Sequence, residues 1–107
     1  MKVIFLKSFS KDLGNLKVKS VKIALLRNIE LIEKVNGLEE IPNIKKLKGH
    51  KSAYRIRIGD YRLGFFYEND EVALARFVHR KEIYRFFPLQ KIFKPLAHSK
   101  AHHQYYL

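Results

Sequence analysis

The segment AYRIRIGDYRLGFFY, residues 53–67, restricts the fold of this chain more than any other part of the sequence. Two runs of alternating residues flank Gly59-Asp60, a pair typical of the two-residue turn of a β-hairpin, in which glycine supplies a positive φ. A turn of this length fixes the register of the two strands by counting. The predicted cross-strand pairs are Ile58 with Tyr61, Arg57 with Arg62, Ile56 with Leu63, and Arg55 with Gly64.

Side chains alternate across a strand, so the hairpin has two different faces. One face suits a core and collects Tyr54, Ile56, Ile58, Tyr61, Leu63, Phe65 and Tyr67. The other face collects Arg55, Arg57, Arg62, Gly64 and Phe66. Like charges in facing positions are destabilising, and although solvation relieves one such pair, three arginines on one face indicate an anionic ligand.

The remaining segments predict an α+β fold, with a largely antiparallel sheet, an N-terminal helix pair on one face and a short C-terminal helical turn. Apolar residues recur at three- and four-residue steps over residues 17–36, which predicts the longer helix. A short strand at residues 3–7 precedes a short helix that Ser8 and Ser10 can cap. Residues 38–52 are predicted to be an irregular basic connector, and residues 79–87 one or two helical turns.

A third strand, residues 72–78, follows a turn predicted at Asn69-Asp70. This register places Gly64 beside Ala75, Phe66 beside Ala73 and Arg62 beside Phe77. The small residues then leave a shallow groove in which Phe77 can stack on a base. Arg76 does not fit, because it falls on the core face unless the second turn is displaced by one residue.

Charge distribution favours a nucleic-acid ligand. The chain of 107 residues has 22 basic and 10 acidic side chains, a net charge of +12, which attracts polyanions. The densest basic segment, residues 45–62, is predicted to be loop and strand rather than an amphipathic helix, which argues against a membrane partner. Its lysines are candidate RNA-binding residues: Lys46, Lys48 and Lys51.

Composition limits the other classes of function. The chain contains no cysteine, which excludes disulfides, thiol nucleophiles and thiolate metal sites. No apolar run approaches the roughly 20 residues that span a bilayer, and the short apolar block at the N-terminus is unlike a signal peptide, so we expect a cytoplasmic protein. His98, His102 and His103 have the spacing of metal ligands, but no acidic residue accompanies them, and we predict neither a metal nor another cofactor.

The third strand ends beside Arg57 and Arg62, and the residues that follow it add further functional groups to this end of the sheet. Arg80 and Tyr84 share one face of a helical turn, and His79 and Lys81 are candidate RNA contacts. Cleavage by the 2′-hydroxyl of RNA needs a proton acceptor, cations around the pentacovalent phosphate and a proton donor for the 5′-oxygen. The candidate catalytic residues are Arg55, Arg57, Arg62, Arg80 and Tyr84.

These segments resemble the RelE/ParE superfamily of bacterial and archaeal toxins over about residues 1–88. The most specific stretches are KLKG, YRIRIGDYRL and VHRKEIY. The resemblance implies a ribosome-dependent endoribonuclease that cleaves messenger RNA and so inhibits translation. It also implies an antitoxin partner, acidic and partly disordered, whose helix wraps the toxin, and contact with operator DNA only through that antitoxin.

The family pattern has lysines at the positions of Arg55 and Arg57, and arginine is a poor general base because its pKa exceeds ~12. We therefore expect these two arginines to bind phosphate, and Tyr84, His79 or the RNA–ribosome complex to accept the proton. Lys81 competes with Arg80 for the catalytic position.

Two alternatives remain open from the sequence, a ParE-like toxin that binds DNA gyrase without cleaving RNA and an inactive binding module. The predicted domain spans residues 1–88. Residues 89–107 are expected to form a basic tail, either mobile or in part added for protein production.

Overall fold

The computed structural model describes residues 1–88 of the chain. The predictions for the tail and for His98, His102 and His103 lie outside the described residues. In chain order the elements are β1 (Lys2–Phe5), α1 (Lys7–Asn15), α2 (Lys19–Lys34), a 3-10 helix (Leu38–Glu40), β2 (Ile44–Lys46), β3 (Ala53–Ile58), β4 (Tyr61–Glu68), β5 (Glu71–His79) and α3 (Ile83–Phe86). Within this part of the chain, no helix is long and apolar enough to cross a membrane.

The sheet has the strand order β1-β5-β4-β3-β2. Strand β1 pairs with β5 in parallel, whereas the other neighbours are antiparallel. Along the sequence, the two N-terminal helices lie between β1 and the other strands. They contribute to the long connection that a parallel pair of strands requires. The predicted α+β fold class is therefore confirmed.

The main core lies between α2 and one face of the sheet. Leu25, Ile29 and Ile32 follow one another at three- and four-residue steps along α2 and are buried, as the sequence predicts. Facing them are the buried side chains of Ile56, Leu63, Phe65, Leu74 and Phe77. The face of the sheet that carries Arg55, Arg57 and Arg62 lies on the opposite side and is called the arginine face below.

Helix α1 closes the edge of β5 beyond the end of β1. The Ser8 hydroxyl donates a hydrogen bond of 2.6 Å to the carbonyl oxygen of Ala75, and the Asp12 carboxylate accepts one of 2.9 Å from the backbone N–H of Phe77. These contacts satisfy edge groups that a strand otherwise exposes. The prediction that Ser8 or Ser10 caps α1 is wrong, because the N-cap residue is Leu6 and no side chain of residues 1–88 caps the helix.

The predicted register of β3 and β4 is confirmed at all four positions, including Arg57 opposite Arg62 and Arg55 opposite Gly64. The turn at Asn69-Asp70 is also confirmed, since Glu68 faces Glu71. Asn69 and Asp70 both have a positive φ, at 51° and 64°.

A β-bulge between Gly64 and Phe65 alters the register of β4 and β5 in its second half. Beyond the bulge, Arg62 faces Val78 and Gly64 faces Arg76. The predicted placement of Phe77 on the arginine face is therefore wrong: its side chain is 3% exposed and stacks on Tyr61 in the core, with ring centroids 5.2 Å apart. The bulge also accounts for Arg76, which it moves from the core face to the arginine face.

The predicted groove on the arginine face is also wrong, because a second apolar cluster fills it. Ile83 of α3 and the following Phe87 are buried there with Leu6, Leu47, Ala53 and Ala75. The fit over Gly64 is close, since a Cβ on this glycine would lie 2.6 Å from Cδ2 of Phe87. The C-terminal turn thus covers the middle of the face and leaves the guanidinium groups near its rim.

Candidate functional site

The structure brings the five predicted catalytic side chains together at one end of the sheet. Burial lowers the pKa of Arg62, and the positive charges of Arg55, Arg57 and Arg80 lower it further, while Tyr84 acts in the opposite direction. All four side chains are thus close enough to Arg62 to change its proton affinity. Tyr84 belongs to α3 and is 61% exposed, so its phenol is open to a ligand.

Backbone carbonyl groups around the β3–β4 turn orient two of these arginines. Nη1 of Arg62 donates hydrogen bonds to the carbonyl oxygens of Gly59, at 3.0 Å, and Tyr61, at 2.9 Å. The backbone N–H of Arg80 donates to the carbonyl oxygen of Asp60 at 2.7 Å, and the Arg80 Nε lies 3.7 Å from the Asp60 carboxylate. Contacts with the β3–β4 turn therefore position both arginine side chains.

Two residues that sequence reasoning missed lie beside the other two arginines. Lys45 faces Arg55 across β2 and β3, and Asn43 precedes β2 and contacts both Arg55 and Arg57. They were missed because residues 38–52 were predicted to be irregular, so no face could be assigned. The residues Ile44, Lys45, Lys46 and Leu47 show no alternation of polar and apolar side chains that would assign Lys45 to a face.

The predicted RNA-binding lysines occupy two different places. Lys48 and Lys51 are exposed and line a shallow depression of about 460 Å³ in the β2–β3 loop. This loop lies at the opposite end of β3 from the Gly59-Asp60 turn. Lys46 also borders the depression, but it faces Tyr54 and its Nζ lies 6.0 Å from that ring, so it points to the other face from Lys45.

His79, the last residue of β5, and Lys81, which follows that strand, do not both join the cluster. His79 faces Tyr61 and packs against its ring with centroids 5.6 Å apart, which places it on the side of the core. Its Nδ1 accepts a hydrogen bond of 3.1 Å from the backbone N–H of Lys81, which occupies that nitrogen. Lys81 is exposed near Arg80 in sequence.

Arg76 of β5 links α1 to α3 through an ion pair with one helix and a ring contact with the other. Arg76 makes two hydrogen bonds with the Asp12 carboxylate, at 2.7 and 3.0 Å. Its guanidinium carbon lies 4.7 Å from the ring centroid of Phe86, the last residue of α3. Together with Phe87 over Gly64, these contacts fix the short helix that carries Tyr84.

The fold and the site define a class of protein: a small α+β domain that presents several guanidinium groups and an exposed phenol at one rim of its sheet. Arginine stays charged at any neutral pH and binds phosphate oxygens two at a time. Such a site is suited to hold a phosphodiester and to stabilise additional negative charge on it.

Similarity to known proteins identifies the family within this class. The chain is 41% identical over 93 residues to the toxin RelE3 of Methanocaldococcus jannaschii, a match that covers 82% of this chain and all of the relative. The chain therefore belongs to the RelE family of toxins. No model of a protein family matches the sequence.

Solved structures agree with this assignment. The toxin in the RelB–RelE antitoxin–toxin complex of Methanococcus jannaschii is 36% identical, with a TM-score of 0.68 over 79% of this chain and 99% of that one. The RelE–RelB complex of Pyrococcus horikoshii, at 23% identity, matches with a TM-score of 0.58 over 77% of this chain and 97% of that one. The YoeB dimer of Staphylococcus aureus, at 19% identity, matches with a TM-score of 0.62 over 74% of this chain and 95% of that one. The last two likenesses concern the fold alone.

Proposed function

We propose that this RelE-family toxin is an endoribonuclease that cleaves messenger RNA on the ribosome. The observation that carries the proposal is the convergence of four side chains on Arg62. They lie close enough to it to alter the pKa of its guanidinium: Arg55, Arg57, Arg80 and Tyr84. Repulsion among these cations opposes their assembly in the free protein. A polyanion that lies across them reverses that balance, because each guanidinium then gains a phosphate oxygen.

The reaction is attack of an RNA 2′-hydroxyl on the neighbouring phosphorus, which forms a 2′,3′-cyclic phosphate and releases a 5′-hydroxyl. Arg62 and Arg80 stabilise the pentacovalent phosphate, and Arg55 and Arg57 hold the adjoining backbone. The phenolic O–H of Tyr84 is a hydrogen-bond donor and donates a proton to the leaving 5′-oxygen. The proton of the 2′-hydroxyl passes to an acceptor in the RNA–ribosome complex.

Dependence on the ribosome follows from the side chains available. Arginine accepts no proton at neutral pH, and the accessible lone pair of His79 is already engaged by Lys81. An enzyme with few acid–base groups relies on alignment of its substrate, which can lower a barrier by about 7–11 kcal/mol. The decoding site provides that alignment by holding the messenger in a fixed conformation, so we expect little cleavage of free RNA.

The protein is also proposed to have an antitoxin partner, acidic and partly disordered, that covers the basic surface with a helix. Support comes from the net charge of +12, which favours an acidic partner. Further support comes from the complex that the M. jannaschii RelE toxin forms with RelB. A disordered partner can wrap a large surface and fold on binding.

The test is cleavage of messenger RNA on programmed ribosomes, with cut sites located by primer extension and the new ends tested for a cyclic phosphate. We expect Arg62→Ala and Arg80→Ala to lower the cleavage rate at least about a hundredfold, the loss typical of one transition-state donor. The melting temperature should change little, because both side chains lie at the surface.

Arg27→Ala is the matched control, since it removes the same charge from an exposed position of α2, away from the arginine face. It should cleave as fast as the wild type. A wild-type protein that leaves ribosome-bound messenger intact contradicts the nuclease proposal, and inhibition of DNA gyrase by that protein would point to a ParE-like activity instead.

A further inference from the structure

Asn43 lies in the link between the 3-10 helix and β2, in a backbone conformation that most residues avoid. Its φ is 61°, in the left-handed region that asparagine and glycine tolerate better than other residues. Backbone strain of this kind is retained where surrounding contacts require it. The contacts of Asn43 lead to the arginine face.

Both oxygens of Asn43 accept hydrogen bonds from the two arginines of β3. The backbone carbonyl accepts from Nη1 of Arg55, at 3.2 Å, and from the backbone N–H of Arg57, at 3.1 Å. The side-chain Oδ1 accepts from Nη2 of Arg57 at 3.1 Å. One residue therefore orients two neighbouring guanidinium groups, and its left-handed backbone directs the carbonyl and the side chain to the same place.

Arg55 depends on this contact for its orientation. Its Nε is buried and has no hydrogen-bond partner within residues 1–88, so the Nη1 contact with Asn43 directs its guanidinium. Arg62 and Arg80 differ, because carbonyl groups and the carboxylate of the β3–β4 turn hold them. The two halves of the cluster thus have separate supports.

We propose that Asn43 is a positioning residue, which presents Arg55 and Arg57 to the RNA backbone while touching neither the RNA nor the reacting atoms. The inference rests on the proposed function to the extent that its first test measures RNA cleavage. A guanidinium with a fixed orientation loses little freedom when it binds a phosphate, so its binding is stronger and better aligned. The neutral oxygens of an amide and a carbonyl orient the arginines and leave their positive charge in place. A carboxylate at this position would cancel part of that charge.

The test uses Asn43→Gly, which keeps the left-handed backbone and its carbonyl but removes Oδ1. The contact with the Arg57 guanidinium is lost, whereas the carbonyl keeps its contacts with Nη1 of Arg55 and with the backbone N–H of Arg57. We expect kcat on programmed ribosomes to fall about tenfold, as for the loss of a hydrogen bond to a charged group, with a smaller change in KM. Asn43→Ala disfavours the left-handed backbone as well and should lower kcat further.

Asn69→Gly is the matched control. Asn69 also has a positive φ, at 51°, but lies in the β4–β5 turn, at the other end of β4 from Arg62. It should cleave at the wild-type rate. An equal loss in Asn69→Gly and Asn43→Gly would assign the effect to the loss of an asparagine rather than to the arginines, and would overturn the proposal.

A double-mutant cycle identifies the partner. If Asn43 acts through Arg57, Asn43→Gly has no additional effect on kcat in an Arg57→Ala background, because coupled residues are not additive. A tenfold loss in both backgrounds overturns the assignment.

A second readout does not require activity. In ¹⁵N spectra of the free protein, the guanidinium of Arg57 should rotate slowly in the wild type and faster in Asn43→Gly, whereas that of Arg62 should be unchanged. Equal rotation of Arg57 in both proteins overturns the proposal. If the wild type does not cleave RNA at all, the proposed function fails, and these spectra still decide whether Asn43 positions the arginines.

Discussion

Arg57 and Arg62 are like charges in direct cross-strand register, and the energetic consequence appears in the proton affinity of Arg62. Burial and then the neighbouring arginines lower its pKa, so the folded chain binds that proton less tightly than the unfolded chain does. Charged Arg62 therefore destabilises the fold. Because both states keep the proton throughout the neutral range, this penalty does not change with pH there and is relieved only under strongly alkaline conditions. Salt is the better probe.

We predict that Arg57→Gln raises the free energy of unfolding by about 0.5 kcal/mol at low ionic strength, the size of one cross-strand pair. Glutamine removes the charge but keeps an N–H donor for Asn43. The gain should largely disappear in about 0.5 M salt, which screens exposed charges. Urea unfolding at the two salt concentrations measures it.

The control for Arg57→Gln is Arg27→Gln, which lowers the net charge equally from an exposed site on α2. It should gain less stability at low salt, because no facing arginine is relieved. If both variants gain equally, the net charge and not the pair is responsible. If Arg57→Gln is also inactive in cleavage, the pair is a case in which a ligand site reduces stability.

At the scale of elements, the position of α3 depends on one glycine in the neighbouring strand. Gly64→Ala places a Cβ 2.6 Å from the Phe87 ring, a distance that requires Phe87 and α3 to move. Overpacking of this kind costs about 1–3 kcal/mol, and the movement displaces Tyr84 from the arginines. We predict a lower melting temperature and a loss of cleavage larger than the loss of folded protein explains.

Gly14→Ala provides the comparison, because no atom of the described part of the chain, residues 1–88, lies within 4 Å of a Cβ at this position in α1. Alanine favours a helix over glycine by about 1 kcal/mol, so Gly14→Ala should be as stable as the wild type or more so. In the Gly64→Ala background, Phe87→Leu should restore part of the stability by making room. Wild-type stability in Gly64→Ala alone would show that Phe87 does not depend on this glycine.

The elements that the sequence predicted well are those that local rules determine. A two-residue turn dictates its register, so β3 and β4 were predicted residue by residue, and the spacing of Leu25, Ile29 and Ile32 predicted α2 in the same way. The bulge after Gly64 lies instead where β5 contacts α1, since Asp12 binds Arg76 and the backbone of Phe77 there. A contact 64 residues away in the chain leaves no local signal, and Phe77 was consequently assigned to the wrong face.

The candidate site was predicted to a similar extent and for the same reason. Strand alternation alone places three arginines on one face: Arg55, Arg57 and Arg62. The proximity of Arg80 and Tyr84 depends in addition on a turn after β5 that brings both side chains back toward these arginines. Asn43 and Lys45 escaped because β2 has three residues, too few for a visible period. Its assignment as a strand comes from pairing with β3, which is a tertiary contact.

For the molecule as a whole, the basic residues that give the net charge of +12 have two different effects on a polyanionic ligand. Every lysine adds to the long-range field that speeds encounter with a polyanion. Only lysines in contact with phosphates release counterions and so contribute to the salt dependence of affinity. Lys45 and Lys46 are consecutive and exposed, but they lie on opposite faces of β2, and only Lys45 faces an arginine.

We predict that Lys45→Ala weakens binding of a single-stranded, 2′-O-methylated RNA several-fold and lowers the slope of log affinity against log salt by about 0.7, the contribution of one phosphate contact in a single strand. Lys46→Ala removes the same charge from almost the same place, so the field is nearly unchanged between the variants and the contact alone differs. It should reduce the association rate as much as Lys45→Ala does, while its slope stays at the wild-type value. Fluorescence anisotropy over a range of salt concentrations, with stopped-flow association rates, measures both quantities. Equal slopes in the two variants would mean that the RNA does not follow the arginine face, and that the overall charge of the molecule, rather than the arrangement of its strands, holds the ligand.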